Sequence, residues 1–241
     1  MKKFALLTNI LDFIFPNYCL ICENSVPADK KYVCPDCFNK IPDFDQKHLP
    51  VLLKRINHPC FDELFIRFQF DPHFRVLIHH LKYARCTQIA QYFGAALADI
   101  LPGNYDHIVP IPLHRAKLKE RGFNQSLLIA RELSRIMDIP LGNTLLERIH
   151  YTKTQTHLNR KERLQNVAGA FQLVGVVRGK KILLIDDVIT TGATLNTCAA
   201  VLKNGGARVV DLAAVATPTT LLQEQLERDV NGDLVSLQKS G

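Results

Sequence analysis

The stretch of residues 181–197 most constrains what this chain can fold into. It opens with a continuous aliphatic run at 182–185, which is typical of a parallel strand buried on both faces. Two adjacent carboxylates, Asp186 and Asp187, follow where that strand should end, and a small-residue turn then leads into a helical pattern over 195–203. The pattern predicts a strand, an acidic pair, a hydroxyl-rich loop and a helix N-terminus in immediate succession.

This order of elements suits the binding of a phosphorylated sugar. Loop N–H groups and the helix dipole can hold a phosphate, and threonine hydroxyls can add hydrogen bonds. Carboxylates only accept hydrogen bonds, so they can grip the vicinal hydroxyls of a ribose. Gly192 allows a close approach of the backbone and a positive φ. The alternative is an ordinary strand–turn–helix with capping residues, because Asp and Thr are favoured at helix starts.

The acidic pair followed by Thr-Thr-Gly-x-Thr resembles the 5-phosphoribosyl-1-pyrophosphate (PRPP) signature of type I phosphoribosyltransferases. The resemblance implies that Asp186 and Asp187 are the catalytic carboxylates and hold the ribose or its Mg²⁺-linked hydroxyls. It implies that the following loop binds the 5-phosphate. The residues implied to bind PRPP in this run are Asp186, Asp187, Val188, Thr190, Thr191, Gly192, Ala193 and Thr194.

Two CxxC pairs near the start of the chain predict a structural zinc ribbon. Cys19 and Cys22 are followed, after a short polar spacer, by Cys34 and Cys37. Each pair places two thiolates on one turn, and four thiolates close a tetrahedral zinc site with no position left for catalysis. A redox CxxC is the alternative, although two pairs this close favour metal.

The cysteine content indicates the cellular compartment, and the net charge indicates the class of ligand. Seven cysteines, an odd number, favour a reducing compartment, so we expect a cytoplasmic protein. An amphipathic N-terminal helix would allow peripheral attachment to the inner face of the membrane. The formal net charge of +7 suits a polyanion such as pyrophosphate, PRPP or nucleic acid, without choosing among them.

Two basic segments are candidates for contact with an anion. The segment 113–135 carries six Lys/Arg against two acids just beyond a predicted strand at 107–111; ligands of open α/β sheets bind at that edge. Residues 148–171 are polar and basic, as expected for a flap that closes over a diphosphate. The alternatives are a solvated basic face and a surface excursion.

The remaining pattern predicts an α/β domain. We expect a linker at 41–57, a half-buried strand at 62–70 and a helix over 71–84 that begins at Asp71-Pro72. Thr87 is expected to cap the next helix. Further helices are predicted over 125–137, 195–203 and 221–228, with strands at 170–174 and 208–215. The predicted parts are residues 1–60 with the ribbon, a phosphoribosyltransferase-like domain at 61–217, and a C-terminal helix and tail at 218–241.

As a whole the chain resembles the ComF family of competence-associated, phosphoribosyltransferase-like proteins. The resemblance rests on the paired CxxC motifs, Leu81-Lys82-Tyr83, Pro110-Ile-Pro-Leu-His114, Arg121-Gly-Phe-Asn-Gln125 and the acidic loop. It implies a type I phosphoribosyltransferase-like parallel sheet flanked by helices, with a small N-terminal four-cysteine zinc ribbon, that binds PRPP with Mg²⁺. His114, Arg115 and Arg121 would also bind PRPP, and Arg115, together with Arg121 or Lys153, would face the pyrophosphate.

We consider two functions for the chain. The first, implied by the resemblance, is a role in natural transformation, in which the protein assists single-stranded DNA across the inner membrane together with other competence proteins. The second is an active phosphoribosyltransferase of nucleotide metabolism, for which no residue selects the acceptor base. The absence of Trp leaves no obvious platform for base stacking, so we expect DNA binding through the backbone.

Overall fold

The computed structural model describes residues 17–27, 31–56, 58–149 and 169–218. The predicted N-terminal and C-terminal helices and most of the predicted flap lie outside these ranges. The strands in chain order are β1 (Asn17–Tyr18), β2 (Ser25–Val26), β3 (Leu64–Phe70), β4 (His107–Pro110), β5 (Leu146–Arg148), β6 (Phe171–Leu173), β7 (Lys181–Val188) and β8 (Val209–Pro218). The α-helices are α1 (Pro35–Phe38), α2 (Leu49–Arg55), α3 (Pro72–Tyr83), α4 (Ile89–Ala98), α5 (Arg115–Arg121), α6 (Gln125–Met137) and α7 (Ala193–Asn204), with a 3-10 turn at Gln46–His48.

Four parallel strands form the central sheet in the order β3-β8-β7-β4. In register, Ile185 of β7 lies beside Ala213 of β8 and Pro110 of β4. Because all four strands are parallel, their carboxyl ends meet at one edge, which is where ligands of such sheets bind. The acidic pair at the end of β7 therefore lies at that edge.

Helices cover both faces of the sheet. Ile182 and Leu184 pack on the face covered by α7 and α2, whereas Leu183 and Ile185 pack on the face covered by α3, α4 and α6. All four side chains are 0% exposed. The prediction that this strand is buried on both faces is confirmed.

The starts of α3 and α6 follow from their capping residues. Asp71 accepts a hydrogen bond from the Phe74 N–H at 2.7 Å, with Pro72 in the first turn of α3, as predicted. Asn124 caps α6 by accepting from the Ser126 N–H and also donates from Nδ2 to the Ile111 carbonyl at 2.9 Å. The second bond ties the start of α6 to the end of β4.

The expected linker at 41–57 is wrong for its described residues. Phe44, Leu52 and Ile56 are buried in the core on the α7 face. The backbone before them pairs with β3: the Phe44 N–H donates to the Arg67 carbonyl, and the Gln69 N–H donates to the Pro42 carbonyl. This segment covers the outer edge of β3, which would otherwise present unpaired backbone groups.

One local prediction also differs from the structure. Gln88, not Thr87, is the N-cap of α4, and its side chain makes no capping bond. The basic stretch after β4 is helical in α5, which ends where Gly122 adopts a φ of 83°. The strand predicted at 170–174 is confirmed as β6, which pairs with β5 outside the central sheet. Within the described ranges, every helix falls short of the length and hydrophobicity that a bilayer crossing requires.

Candidate functional site

The acidic pair opens onto a depression at the carboxyl edge of the sheet. The lining residues, which include every loop position predicted to bind PRPP except the buried Asp187, are Asp186, Val188, Ile189, Thr190, Thr191, Gly192, Ala193, Thr194 and Leu195. The structure therefore brings the predicted phosphate loop and one of the two predicted carboxylates into one concave surface.

Asp186 is held by hydrogen bonds from α6 and from its own strand. The Ser126 hydroxyl donates to Asp186 Oδ1 at 2.8 Å, and the Asp187 N–H donates to the same oxygen at 2.9 Å. Burial and the neighbouring Asp187 charge raise the pKa of Asp186 to about 7, against the opposing effects of these donors and of Lys82. Asp186 therefore exchanges a proton near neutral pH.

Asp187 forms an ion pair with α3. Lys82 Nζ lies 2.7 Å from Asp187 Oδ2, and the Val188 N–H donates to Oδ1 at 2.8 Å. Both side chains are largely shielded from solvent, which makes the pair stronger than an exposed one. One of the two negative charges of the acidic pair is therefore balanced within the protein.

The loop after β7 presents a helix N-terminus. Gly192 is the N-cap of α7 with a φ of 69°, and Thr191 Oγ1 accepts from the Ala193 N–H at 3.4 Å. Because the first N–H groups of a helix have no partner within the helix, α7 directs donors and the positive end of its dipole toward the depression. Thr190 and Thr191 are exposed beside it. This arrangement can accept a phosphate.

The cationic side chains near the site come from two helices, α3 and α5, and from strand β5. We call Lys82, Lys117, Arg121 and Arg148 the basic cluster. Burial and the charges of the other three lower the pKa of Lys117, and burial lowers the pKa of Arg148. The shift at Lys117 shows that these cations lie within electrostatic range of one another.

The three other residues predicted to bind PRPP, His114, Arg115 and Arg121, occupy different positions around this cluster. His114 caps α5 by accepting from the Ala116 N–H, and desolvation and the charges of Arg148 and Arg115 lower its pKa. The exposed Arg115 pairs with Glu147 at 2.8 Å. The Arg121 guanidinium lies 5.2 Å from the centre of the Tyr83 ring. Lys153 lies outside the described residues.

Sequence reasoning missed Ser126 and Lys82 as partners of the acidic pair. Ser126 directly follows residues 121–125, and Lys82 lies within residues 81–83; both of these strings carry the family resemblance. Proximity to those strings was the available signal. Nothing in their spacing from Asp186 and Asp187 indicates a contact, since the contacts form only when α6 and α3 pack on the sheet.

The four predicted zinc ligands form one cluster. The sulfur atoms of Cys19, Cys22, Cys34 and Cys37 lie within 4.8 Å of one another, and the Cys22 and Cys34 sulfurs are 3.8 Å apart. Zn–S bonds of about 2.3 Å in a tetrahedron place sulfurs about 3.8 Å apart. The cluster therefore fits a four-coordinate metal.

Backbone donors favour the thiolate form of Cys19, whereas burial raises the pKa of Cys37. Burial opposes ionisation of Cys19, but N–H groups of Cys22, Cys34 and Ile21 lower its pKa to about 6. The Cys34 N–H donates to Cys19 Sγ and the Cys37 N–H donates to Cys34 Sγ, each at 3.4 Å. Thiolate is the form that binds a metal.

The parallel sheet flanked by helices, with an acidic pair and threonine loop at its carboxyl edge, defines a type I phosphoribosyltransferase-like protein. The phosphoribosyl transferase domain family matches residues 123–239. The DNA utilization protein YhgH of Escherichia coli O157:H7 is 31% identical over 202 residues, covering 80% of this chain and 87% of that protein. This chain belongs to the ComF family.

Two further proteins show the range of similarity. Competence protein F of Haemophilus influenzae is 29% identical over 224 residues, covering 82% of this chain and 96% of that protein. Among solved structures, the glutamine PRPP amidotransferase from B. subtilis, complexed with ADP and GMP, is 22% identical with a TM-score of 0.39, covering 53% of this chain and 26% of that chain.

Proposed function

We propose that this protein is a competence protein of natural transformation that binds PRPP with Mg²⁺ at the loop 186–194 and assists the import or handling of single-stranded DNA. The observation that carries the proposal is the depression that Asp186 and the N-terminus of α7 line together, with Asp187 next to Asp186 in the chain. Relatives named as a competence protein and a DNA utilization protein support the biological role.

Each part of PRPP has a chemical partner in this proposal. The 5-phosphate lies against the N–H groups at the start of α7, where Thr190, Thr191 and Thr194 add hydroxyl donors. The ribose hydroxyls donate to the carboxylates of the acidic pair. The pyrophosphate lies toward the basic cluster and α5, which carry the positive charge that it requires.

Magnesium would enter with PRPP. Asp186 and Asp187 offer the oxygen donors that Mg²⁺ prefers, and both already have protein partners. Mg²⁺ bound to PRPP would neutralise pyrophosphate charge, and the acidic pair would hold it through the ribose hydroxyls. Ser126 and Lys82 would fix the orientation of the two carboxylates.

Zinc is proposed as the metal of the cysteine cluster. Four thiolates at tetrahedral separation leave no open coordination position, so the ion would be structural. The proposed place of action is the cytoplasm or the inner face of the membrane, where an incoming strand and other competence proteins would be met.

Calorimetric titration of PRPP with Mg²⁺ tests the pocket. The intact protein should bind, and the double variant Asp186→Asn and Asp187→Asn should show no detectable binding, because the ribose loses its charged acceptors. The matched control is Asp106→Asn, an acid at the opposite end of the sheet, where its carboxylate accepts from the Lys181 N–H. Binding by the double variant at wild-type affinity would disprove the site assignment.

Single-stranded DNA binding is tested separately by fluorescence anisotropy at several salt concentrations. Contacts to phosphates release counterions, so the affinity should fall steeply as salt rises. If the protein binds PRPP but no oligonucleotide at low salt, the assignment of the pocket stands and the proposed DNA role is disproved.

Turnover is a second candidate function, favoured by the raised pKa of Asp186 beside a site for the sugar. In a phosphoribosyl transfer, a base nitrogen bonds to C1 of PRPP as the C1–oxygen bond breaks and pyrophosphate departs with the electron pair. The proton of that nitrogen would pass to a base, for which the ionised Asp186 carboxylate, with its pKa of about 7, is the candidate. Asp186 and Asp187 would stabilise the positive charge that develops on the sugar. Pyrophosphate release with any of a panel of nucleobases would establish the enzyme, and release with none would leave a binding protein.

A further inference from the structure

Tyr83, at the C-terminal end of α3, is an exposed aromatic side chain held in one orientation. It is 59% exposed. The Arg121 guanidinium carbon lies 5.2 Å from its ring centre, and Arg121 Nη2 donates to the Tyr83 hydroxyl at 3.3 Å. The His79 ring, one helical turn earlier, lies 5.0 Å away at 46°. Tyr83 is therefore an exposed ring with a cation and a second aromatic ring beside it.

The surroundings of Tyr83 are cationic. Arg121 ends α5, a helix that also carries Arg115, Lys117 and Lys119 against a single acid, Glu120. Lys82 precedes Tyr83 in α3 and contributes to the positive potential at Lys117, as does Arg121. An anion that follows the exposed side of α5 therefore passes beside the Tyr83 ring.

An aromatic ring among phosphate-binding cations matches single-stranded nucleic acid. An unpaired base can place its flat face on Tyr83 or on the stacked guanidinium, while the flanking phosphates contact Arg121 and Lys117. Duplex DNA would use only the cations, because its bases are already stacked and paired. The absence of Trp thus does not remove the base-stacking element; Tyr83 supplies it.

We propose that Tyr83, braced by Arg121 and His79, is a stacking platform for an unpaired base of single-stranded DNA. The proposal rests on the DNA role given above and assigns it to one surface. The platform adjoins the PRPP depression, because Lys82, the residue before Tyr83, reaches Asp187.

The test compares Tyr83→Ala and Tyr83→Phe in anisotropy titrations with labelled oligothymidylate and with an abasic oligonucleotide of the same length. Loss of one stacked base should weaken oligothymidylate binding by roughly 5- to 150-fold in Tyr83→Ala. Tyr83→Phe keeps the ring and should stay within about twofold of the wild type. The abasic strand should bind wild type and Tyr83→Ala equally, because it offers phosphates alone.

Tyr18→Ala is the matched control, since Tyr18 is 56% exposed but lies in the cysteine-bearing segment; its affinity should be unchanged. Wild-type affinity in Tyr83→Ala, or an equal loss on the abasic strand, would overturn the platform while leaving the DNA role intact. A wild-type protein that binds neither oligonucleotide would overturn both, and PRPP calorimetry would report independently on the pocket.

Discussion

Asp186 couples the stability of the fold to pH. Its pKa is about 7 in the folded protein and 3.8 as an unperturbed group, because burial and Asp187 disfavour the charged form. The folded state therefore binds the proton more tightly than the unfolded state. The resulting stabilisation is fully present below about pH 4 and is lost as pH rises toward 7.

We predict that Asp186→Asn removes this loss of stability. Each pKa unit corresponds to about 1.4 kcal/mol, so the wild-type free energy of unfolding should fall by about 2–3 kcal/mol between pH 5 and pH 7.5 relative to the variant. Urea denaturation at several pH values measures the slope of the free energy of unfolding against pH for the wild type and for the variant. Parallel slopes would contradict the prediction.

Asp106→Asn is the control for this measurement. The Lys181 N–H and the Lys180 side chain lower the pKa of Asp106. A lowered pKa contributes stability that is lost only as the pH falls below the unfolded value near 4. The Asp106 variant should therefore keep the wild-type slope between pH 5 and pH 7.5.

Gly192 permits the loop to turn into α7. Its φ is 69°, and a Cβ at this position would lie 2.6 Å from Ile56 Cδ1. We predict that Gly192→Ala lowers the free energy of unfolding by about 1–2 kcal/mol from backbone strain, with a further cost from the contact. Adding Ile56→Val removes Cδ1 but leaves Cγ1 2.8 Å from that Cβ, so, once the cost of Ile56→Val alone is subtracted, it should recover part of the contact cost and none of the backbone strain. Urea denaturation of the three variants tests this, and a Gly192→Ala protein as stable as the wild type would contradict it.

The residues that the sequence identified lie close together in the chain. The residues that it missed act through contacts between elements that are distant in the chain. Asp186, Asp187 and Gly192 follow one another in a local pattern whose chemistry can be read directly. Ser126 and Tyr83 acquire their roles through packing of α6 and α5 against distant elements. Periodicity predicts which face of a helix is buried, but not which polar side chain at its end reaches another strand.

At the scale of elements, the cysteine segment is part of the main core. The Phe38 ring in α1 lies 5.7 Å from Phe68 of β3 and 5.5 Å from Tyr92 of α4. The buried ligands Cys19 and Cys37 belong to the same hydrophobic cluster as the α3 face of the sheet. Loss of a metal there would loosen contacts with β3 and α4 as well as the segment itself.

We predict one zinc ion per chain, and a lower unfolding temperature for the whole protein after its removal by a chelator. Cys37→Ser should have the same effect, because it removes one ligand of a closed site. Cys60→Ser is the control, since Cys60 lies in the other core cluster and outside the sulfur group. Elemental analysis and calorimetry make the measurement. If protein purified without a chelator contains no zinc, the prediction of a zinc site is wrong.

The elements that the sequence predicted well are those with a strong hydrophobic period. The unit β7-α7-β8 and helices α3 and α6 were predicted because long apolar stripes and capping residues set their limits. Residues 41–57 were misjudged because a short strip covering the edge of β3 has few apolar residues and contains Pro42. Helix α5 was missed because its face is charged and its start depends on His114.

At the scale of the whole molecule, the two proposed ligand sites are adjacent through α3. Lys82 pairs with Asp187 at the PRPP depression, and Tyr83 stacks with Arg121 beside it. Both proposed ligands are polyanions, and we propose that both contact the basic cluster. Since charges within about 8 Å of one another interact without full screening at physiological salt, PRPP in the depression should disfavour phosphates on the platform.

We predict that saturating PRPP with Mg²⁺ weakens oligothymidylate binding by at least about fivefold, a coupling of about 1 kcal/mol. Linkage requires the oligonucleotide to weaken PRPP binding by the same factor, so anisotropy with PRPP and calorimetry with DNA must agree. In the Asp186→Asn, Asp187→Asn variant, which should not bind PRPP, its addition should leave DNA affinity unchanged at constant ionic strength. Equal DNA affinities with and without PRPP in the wild type would mean that the two sites do not share the basic cluster. In that case Lys82 would serve the acidic pair alone and Arg121 would serve the platform alone.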